Sequence, residues 1–263
     1  MTDNIEYHNP LGKSDYLSLQ HLERYKFAVS RLKPGQRLLD IACGAGYGTA
    51  LLLKHGCMVA GADYDEQAVG DAHTKFKHGN FVRTDALNIP FKDKAFDALV
   101  SFETIEHVYD GNRFLSEVYR VLKPGGIFIC STPNIQYTTH PPYHIREYLP
   151  DEFYGLVEQR FSQVERYCQH FKPLDRASDL YHWLFHARLI AILEKTFVKK
   201  PLKRIFRLNT TNTTKGLQNH KDPFIEDSMI GRVLKEEFDA YYRVQPYINT
   251  KRLRIMIVVA KRT

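Results

Sequence analysis

At 263 residues the chain is long enough for one large α/β domain or two small ones. With 43% hydrophobic and 25% charged residues it can bury a core and is not disordered throughout. The net charge of +7 is unevenly divided: residues 1–171 carry 18 Lys and Arg against 21 Asp and Glu, residues 172–263 carry 19 against 9. Attraction to an anionic partner therefore belongs to the second part, the alternative being a solvated basic face.

The opening MTDNIEYHNP lacks a basic and an apolar region, so no secretory signal is expected. The longest apolar candidate, Leu189 to Leu193, falls far short of the roughly 18 residues of a membrane span. Cys43, Cys57, Cys130 and Cys168 form neither a CxxC pair nor a disulfide framework, which fits a reducing cytoplasm.

Ser14 to Leu32 has the apolar spacing of an amphipathic helix and stops at Lys33-Pro34-Gly35. Arg37 to Ala42 reads as a strand, followed by a glycine-rich turn and a helix from Thr49 to Lys54. Met58 to Asp63 is a second strand, Glu66 to Phe76 a helix, Asn80 to Thr84 a third strand and Phe96 to Phe102 a fourth. A helix from Asn112 to Val121 stops at Lys123-Pro124-Gly125-Gly126, and Ile127 to Ser131 is a fifth strand. Strands with continuous apolar runs that alternate with helices predict a doubly wound, mostly parallel sheet covered on both faces.

After Phe171 the texture changes. A stripe from Leu180 to Ala191 keeps helical spacing and leads into Lys195, Lys199, Lys200, Lys203, Arg204 and Arg207. A polar stretch, Asn209 to Thr214, precedes a helix over Glu226 to Tyr241, and Leu253 to Ala260 closes the chain as a strand. Residues 1–171 and 250–263 thus form one domain, and 172–249 a basic helical insertion before the last strand. The insertion reads as a lid over the active site. Its residues 180–208 would also suit an anionic membrane surface, which would put the protein at the inner face of the membrane, or a phosphate-rich substrate. No nucleic-acid module is legible, so nucleic acid is not an expected partner.

LLDIACGAGYGT places Gly44, Gly46 and Gly48 where the first strand turns into a helix. Glycine there permits positive φ and close approach of a ligand. Asp63 ends the second strand, where a carboxylate can accept both ribose hydroxyls, and Asp85 ends the third, where it can accept an adenine amino group. The spacing is GxGxG, not the GxGxxG of dinucleotide sites, and Asp40 lies four residues before the first glycine. An acid beside the loop suits a cationic nucleoside, which S-adenosylmethionine is.

The blocks LLDIACGAGYGT, VAGADYDEQAV, RTDALNIPF, FDALVSFETIEHV and YRVLKPGGIFICSTPN resemble the successive motifs of class I S-adenosylmethionine-dependent methyltransferases. The resemblance covers about His21 to Phe171 and the final strand. It implies a Rossmann-like sheet of seven strands, the last antiparallel, which suits a hairpin of Phe161–Tyr167 with Leu253–Ala260. It also implies that Asp40, Gly44, Gly46 and Gly48 line the methionine end of the cofactor. Asp63 would then take the ribose, and Asp85 with Ala86 would hold the adenine; Tyr64 and Phe102 are further cofactor-binding candidates.

The fourth strand delivers Glu103, Glu106 and His107, an ExxEH cluster, to the ligand end of the sheet. If a helical turn begins at Glu103, all three share one face and can hold a divalent ion, magnesium first, with manganese or zinc suited to imidazole. His144 is the further candidate ligand. ExxEH is similar to a motif of quinone-pathway O-methyltransferases and of small-RNA 2′-O-methyltransferases. The run from His144 through Glu147 and Tyr148 to Phe153 looks like a bacterial methyltransferase group associated with cell-surface glycans. The expected activity is O-methylation of a glycan or related polyhydroxylated acceptor, with Glu106, His107 and His144 at the chemistry. The alternatives are a catechol-type quinone precursor, an RNA 2′-hydroxyl, or a non-catalytic binding module. Tyr25 reads first as a core aromatic, the alternative being that it covers the cofactor; His140 reads as structural, and Cys43 as a small filler.

Overall fold

The structure, a computed structural model, describes residues 16–138, 140–170, 244–247 and 253–263. The chain divides into two units, Met1–His170 with Phe238–Thr263, and Phe171–Glu237. The second unit, and with it the expected basic helix and the 180–208 surface, lies outside the described residues.

In chain order the elements are α1 (Tyr16–Val29), β1 (Arg37–Ile41), α2 (Tyr47–Lys54), β2 (Met58–Asp63), α3 (Glu66–Lys75), β3 (Asn80–Arg83) and β4 (Phe96–Phe102). Then come α4 (Gly111–Val121), β5 (Leu122–Pro133), α5 (Pro150–Glu158), β6 (Gln163–His170), β7 (Gln245–Pro246) and β8 (Leu253–Lys261). The strands form one sheet in the order β3-β2-β1-β4-β5-β8-β6-β7. Pairing is parallel from β3 through to β5; β8 runs antiparallel to both β5 and β6.

Local chemistry sets the helix ends. Asp65 accepts from Ala68 N–H at 2.7 Å and starts α3, and Asp110 does the same for Arg113 N–H at 2.9 Å at the start of α4. Pro150 opens α5, whose Glu152 carboxylate reaches back to Leu149 N–H at 2.9 Å. The strand interiors are apolar on both sides because both faces are covered. Leu38, Ala98 and Val100 belong to the core under α1 and α2, their neighbours Leu39 and Leu99 to the core under α4 and α5.

Two expectations are corrected. The sheet has eight strands, not seven, because Gln245-Pro246 pairs with Tyr167-Cys168 at the edge. The expected insertion 172–249 therefore gives up its last part: Val244 is buried in the core under α1 and α2. An edge strand of two residues has no periodicity to read, and a proline is tolerated only at such an edge. The fifth strand also starts earlier than Ile127. Leu122 already pairs with Phe96, and the next pair is Ala98 with Ile127, so Lys123-Pro124-Gly125-Gly126 is a bulge within the pairing.

Candidate active site

The sheet reverses its winding at β1, whose neighbours are β2 on one side and β4 on the other. Ligands of open α/β sheets bind beyond the strand ends at such a point. A cavity of about 430 Å³ lies there, with a wall from each of β1, β2 and β4, and from the loop after β3.

The glycine loop forms one wall. Gly46 has φ +80 and is the N-cap of α2, a backbone that a side chain would strain. The helix begins at Tyr47, two residues before the expected Thr49, so Gly48 lies inside it. A Cβ on Gly48 would sit 1.9 Å from Tyr25 Cζ. Gly44 lines the cavity, but Gly46 and Gly48 do not: they leave room for Phe81 and Tyr25 to pack against the loop.

Asp40 is likewise behind the wall and fully buried, accepting from Tyr25 Oη at 3.0 Å and Thr49 Oγ1 at 2.6 Å. Burial pushes its carboxyl up to about 7, against the pull of the Thr49 and Tyr25 hydroxyls. Tyr25 does more than fill the core: it lines the cavity and meets Phe102 edge-on at 4.9 Å.

Asp63 faces the cavity with both oxygens engaged, Oδ2 by Gly44 N–H at 2.7 Å and Oδ1 by Asp65 N–H at 2.9 Å. Burial raises it, while those backbone N–H groups pull it down. Asp85 accepts from Leu87 N–H at 2.8 Å, which aims the loop after β3. Tyr64, Ala86 and Phe102 also line the cavity, Tyr64 being 60% exposed at its mouth.

At the end of β4 the structure departs from the expected arrangement. Glu103 has φ +55, so no helical turn begins there; a short 3-10 turn spans Ile105–His107 instead. Glu103 Oε1 accepts from Ser131 Oγ at 2.8 Å and faces Arg24 Nη2 at 4.0 Å. It does not join the group that the other three candidate ligands form. Glu106, His107 and His144 do converge, with one ligand atom from each within 4.8 Å of the others.

Both imidazoles are oriented by their Nδ1 atoms. His107 Nδ1 bonds the Tyr143 carbonyl at 3.0 Å and His144 Nδ1 bonds Glu147 Oε1 at 2.8 Å, which leaves each Nε2 with a free lone pair. Glu106 Oε2 accepts from Thr132 Oγ1 at 2.9 Å, whereas its Oε1 is buried without a partner, 4.0 Å from His107 Nε2. Burial, then Glu103, raises the Glu106 carboxyl well above its ordinary value, and burial lowers His107. His140 is exposed and pairs with Glu147, so it supports His144 at one remove. Arg24 was not foreseen because its partners Gln169 and Glu103 lie far along the chain, and Glu147's bond to His144, although only three residues away, is set by the conformation of an irregular loop.

A Rossmann-like α/β domain with a cavity at its switch point is what the fold defines. Residues 39–130 match the family model described as a methyltransferase domain. A probable S-adenosylmethionine-dependent methyltransferase of Mycolicibacterium smegmatis is 33% identical over 162 residues, 59% of this chain and 62% of that protein. The fatty-acid O-methyltransferase of the same organism is 29% identical over 216 residues, 78% of this chain and 74% of that protein. The chain spans less than two-thirds of the first of these, and 52% of a similar probable methyltransferase from Mycobacterium tuberculosis. A solved S-adenosylmethionine-dependent methyltransferase from Thermotoga maritima, a possible histamine N-methyltransferase, has a TM-score of 0.57 at 17% identity over 94% of this chain and 93% of that one. The cyclase SpnF has a TM-score of 0.55 at 18% identity over 95% of this chain and 84% of that one. At such identities the likeness is one of fold. Residues 39–130 thus match a methyltransferase domain, and the chain is similar over about half its length to probable S-adenosylmethionine-dependent methyltransferases.

Proposed function

We propose that the protein transfers a methyl group from S-adenosylmethionine to a hydroxyl of a polyhydroxylated acceptor of the glycan type, with a divalent cation held by Glu106, His107 and His144. The observation that carries the reading is the buried, unpartnered Oε1 of Glu106 beside two imidazoles whose Nε2 lone pairs are free. A buried carboxylate oxygen without a donor is costly, and a cation would satisfy it.

The cofactor brings a methyl group already activated on a sulfonium. The chain's task is to hold that group in line with an acceptor oxygen and to handle the proton. Gly44 N–H fixes the Asp63 carboxylate for the ribose, and Asp85 and Ala86 border the adenine end. On the acceptor side His107, Tyr109 and Tyr143 border the cavity, and Tyr109 and Tyr143 are exposed rings suited to the face of a sugar. A bound divalent cation would lower the pKa of the acceptor hydroxyl. In a cation-free site the His107 Nε2 lone pair takes the proton itself, helped by burial that keeps this imidazole neutral. One lone pair cannot serve both roles at once, so chelation separates them.

A second reading, an acyl or lipid acceptor, is favoured by the fatty-acid O-methyltransferase relative and by a phthiotriol and phenolphthiotriol dimycocerosates methyltransferase of Mycobacterium tuberculosis. The latter is 35% identical over 127 residues, 45% of this chain and 46% of that protein. Labelled methyl transfer into cell extract fractionated as glycan, lipid and RNA tests both. Label confined to the glycan fraction supports the first reading, and label confined to lipid replaces it.

A further inference from the structure

Residues 84–95, between β3 and β4, form neither helix nor strand, yet Thr84 to Leu87 supply one wall of the cavity. Such a segment has no ladder to fix it, so its backbone groups need partners elsewhere. Several find them on α4. Arg113 Nε donates to the Leu87 carbonyl at 3.1 Å, and Arg120 Nη2 and Nη1 donate to the carbonyls of Ile89 and Phe91, each at 2.8 Å. Glu117 Oε2 accepts from Ile89 N–H at 2.9 Å.

These three side chains also hold one another. They stand at i, i+4 and i+7, on one face of the helix. Glu117, 4% exposed, takes hydrogen bonds from Arg120 Nε at 3.0 Å and Nη2 at 2.8 Å, and faces Arg113 Nη2 at 3.7 Å. The fork of Arg120 gives the pair a fixed geometry. Its hydrogen bonds hold the Glu117 carboxyl below the ordinary range in spite of burial.

Leu87 carries the effect to the cavity. Its carbonyl is held by Arg113, and its N–H donates to Asp85 Oδ1 at 2.8 Å, which leaves Oδ2 to a ligand. Asp85 lines the cavity, whereas Arg113, Glu117 and Arg120 do not. The direction of a carboxylate in the wall is thus set from α4 through one intervening residue.

We propose that Arg113, Glu117 and Arg120 are positioning residues for base recognition, holding the loop after β3 so that Asp85 meets the 6-amino group of a purine nucleoside. The inference rests on the cofactor reading above and goes beyond it, because discrimination at the base is assigned to side chains that never touch the ligand. A brace that only kept the fold would weaken all nucleosides alike. One that acts through Asp85 changes the preference between a 6-amino and a 6-oxo purine.

The test is calorimetry on the full chain with S-adenosylhomocysteine and with S-inosylhomocysteine, in which an oxo group replaces the 6-amino group. The wild type should prefer the first. Arg113→Met alters a side chain that is 53% exposed, so the fold should persist, and the preference should shrink roughly 3-fold to 10-fold, as for one misdirected hydrogen bond. Arg113→Lys should restore most of it, and Glu117→Gln should act like Arg113→Met. In an Asp85→Asn background Arg113→Met should change the preference no further, since its effect passes through that carboxylate. Equal losses for both nucleosides, an unchanged preference in Arg113→Met, or additive effects with Asp85→Asn would overturn the proposal, as would wild-type protein that binds the two equally. If the wild type binds neither nucleoside, the cofactor reading itself fails and this inference with it.

Discussion

The hydroxyl of Tyr25 donates to Asp40 at 3.0 Å and so links a fully buried acid to the surface of the cavity. The acid next to the glycine loop was expected on the cavity wall. It stands one side chain back, and the tyrosine ring forms the wall in its place.

That relationship predicts a pH dependence. The Asp40 carboxyl is held at about 7 by burial, so it is largely neutral below that pH and ionised above. A cationic ligand in the cavity favours the ionised form, so affinity for S-adenosylmethionine should rise as pH goes from 6 to 8, with proton release on binding. Calorimetry in buffers of different ionisation enthalpy measures the protons. Asp40→Asn should flatten the dependence, and a wild-type affinity that falls over the same range would reverse the sign of the argument.

Asp63 is anchored by the N–H groups of Gly44 and Asp65, so its removal costs both a ligand contact and the local loop geometry. Asp63→Ala should weaken S-adenosylhomocysteine by about 10-fold or more while the thermal transition remains cooperative. Unchanged affinity would remove Asp63 from the ribose role.

Gly48→Ala tests the packing reading of the third glycine. Its Cβ would meet Tyr25 Cζ at 1.9 Å, and overpacking of this kind costs about 1–3 kcal/mol. The melting temperature should fall by several degrees, and Gly48→Ala with Tyr25→Leu should recover part of the loss. No recovery in the double variant would show that the tyrosine is not the obstacle.

Chelation decides between the two uses of the imidazoles. With a cation at Glu106, His107 and His144, treatment with a chelator should abolish turnover and divalent ions should restore it, magnesium and manganese being tried first. Glu106→Gln should remove that metal response while nucleoside binding persists. Full activity after chelation would leave His107 as a metal-free base.

Glu147 gives the same centre a remote control. Its carboxylate is pushed up by burial but held below the ordinary range by hydrogen bonds from Thr138, His144 and His140. Glu147→Gln can no longer hold His144 in one tautomer, so divalent-ion affinity should fall about 10-fold to 100-fold with little change in melting temperature. Unaltered metal titration would exclude His144 as a ligand.

Much of this molecule was legible from its residues. Strands such as Phe96–Phe102 announce themselves by an unbroken apolar run, and the stops at Pro34-Gly35 and after Val121 are chemical facts about proline and glycine. The acids at the ends of β2 and β3 follow from the same local pattern, and the cavity forms where that pattern predicts. What the chain did not disclose were relations across distance, Arg24 against Glu103 and Gln245-Pro246 against β6, and the loop conformation that turns Glu147 to His144.

The amino-acid sequence alone determined the doubly wound sheet, the position of Asp63 and Asp85 at the ends of β2 and β3 and the His107–Glu106 pair, because these depend on hydrophobic period, turn chemistry and short spacing. Tertiary structure decided which carboxylates share a centre. One residue of left-handed backbone turns Glu103 toward α1, and a loop after β5 brings His144 to Glu106. Neither direction is encoded in spacing along the chain, since each is set by what the folded neighbours leave room for.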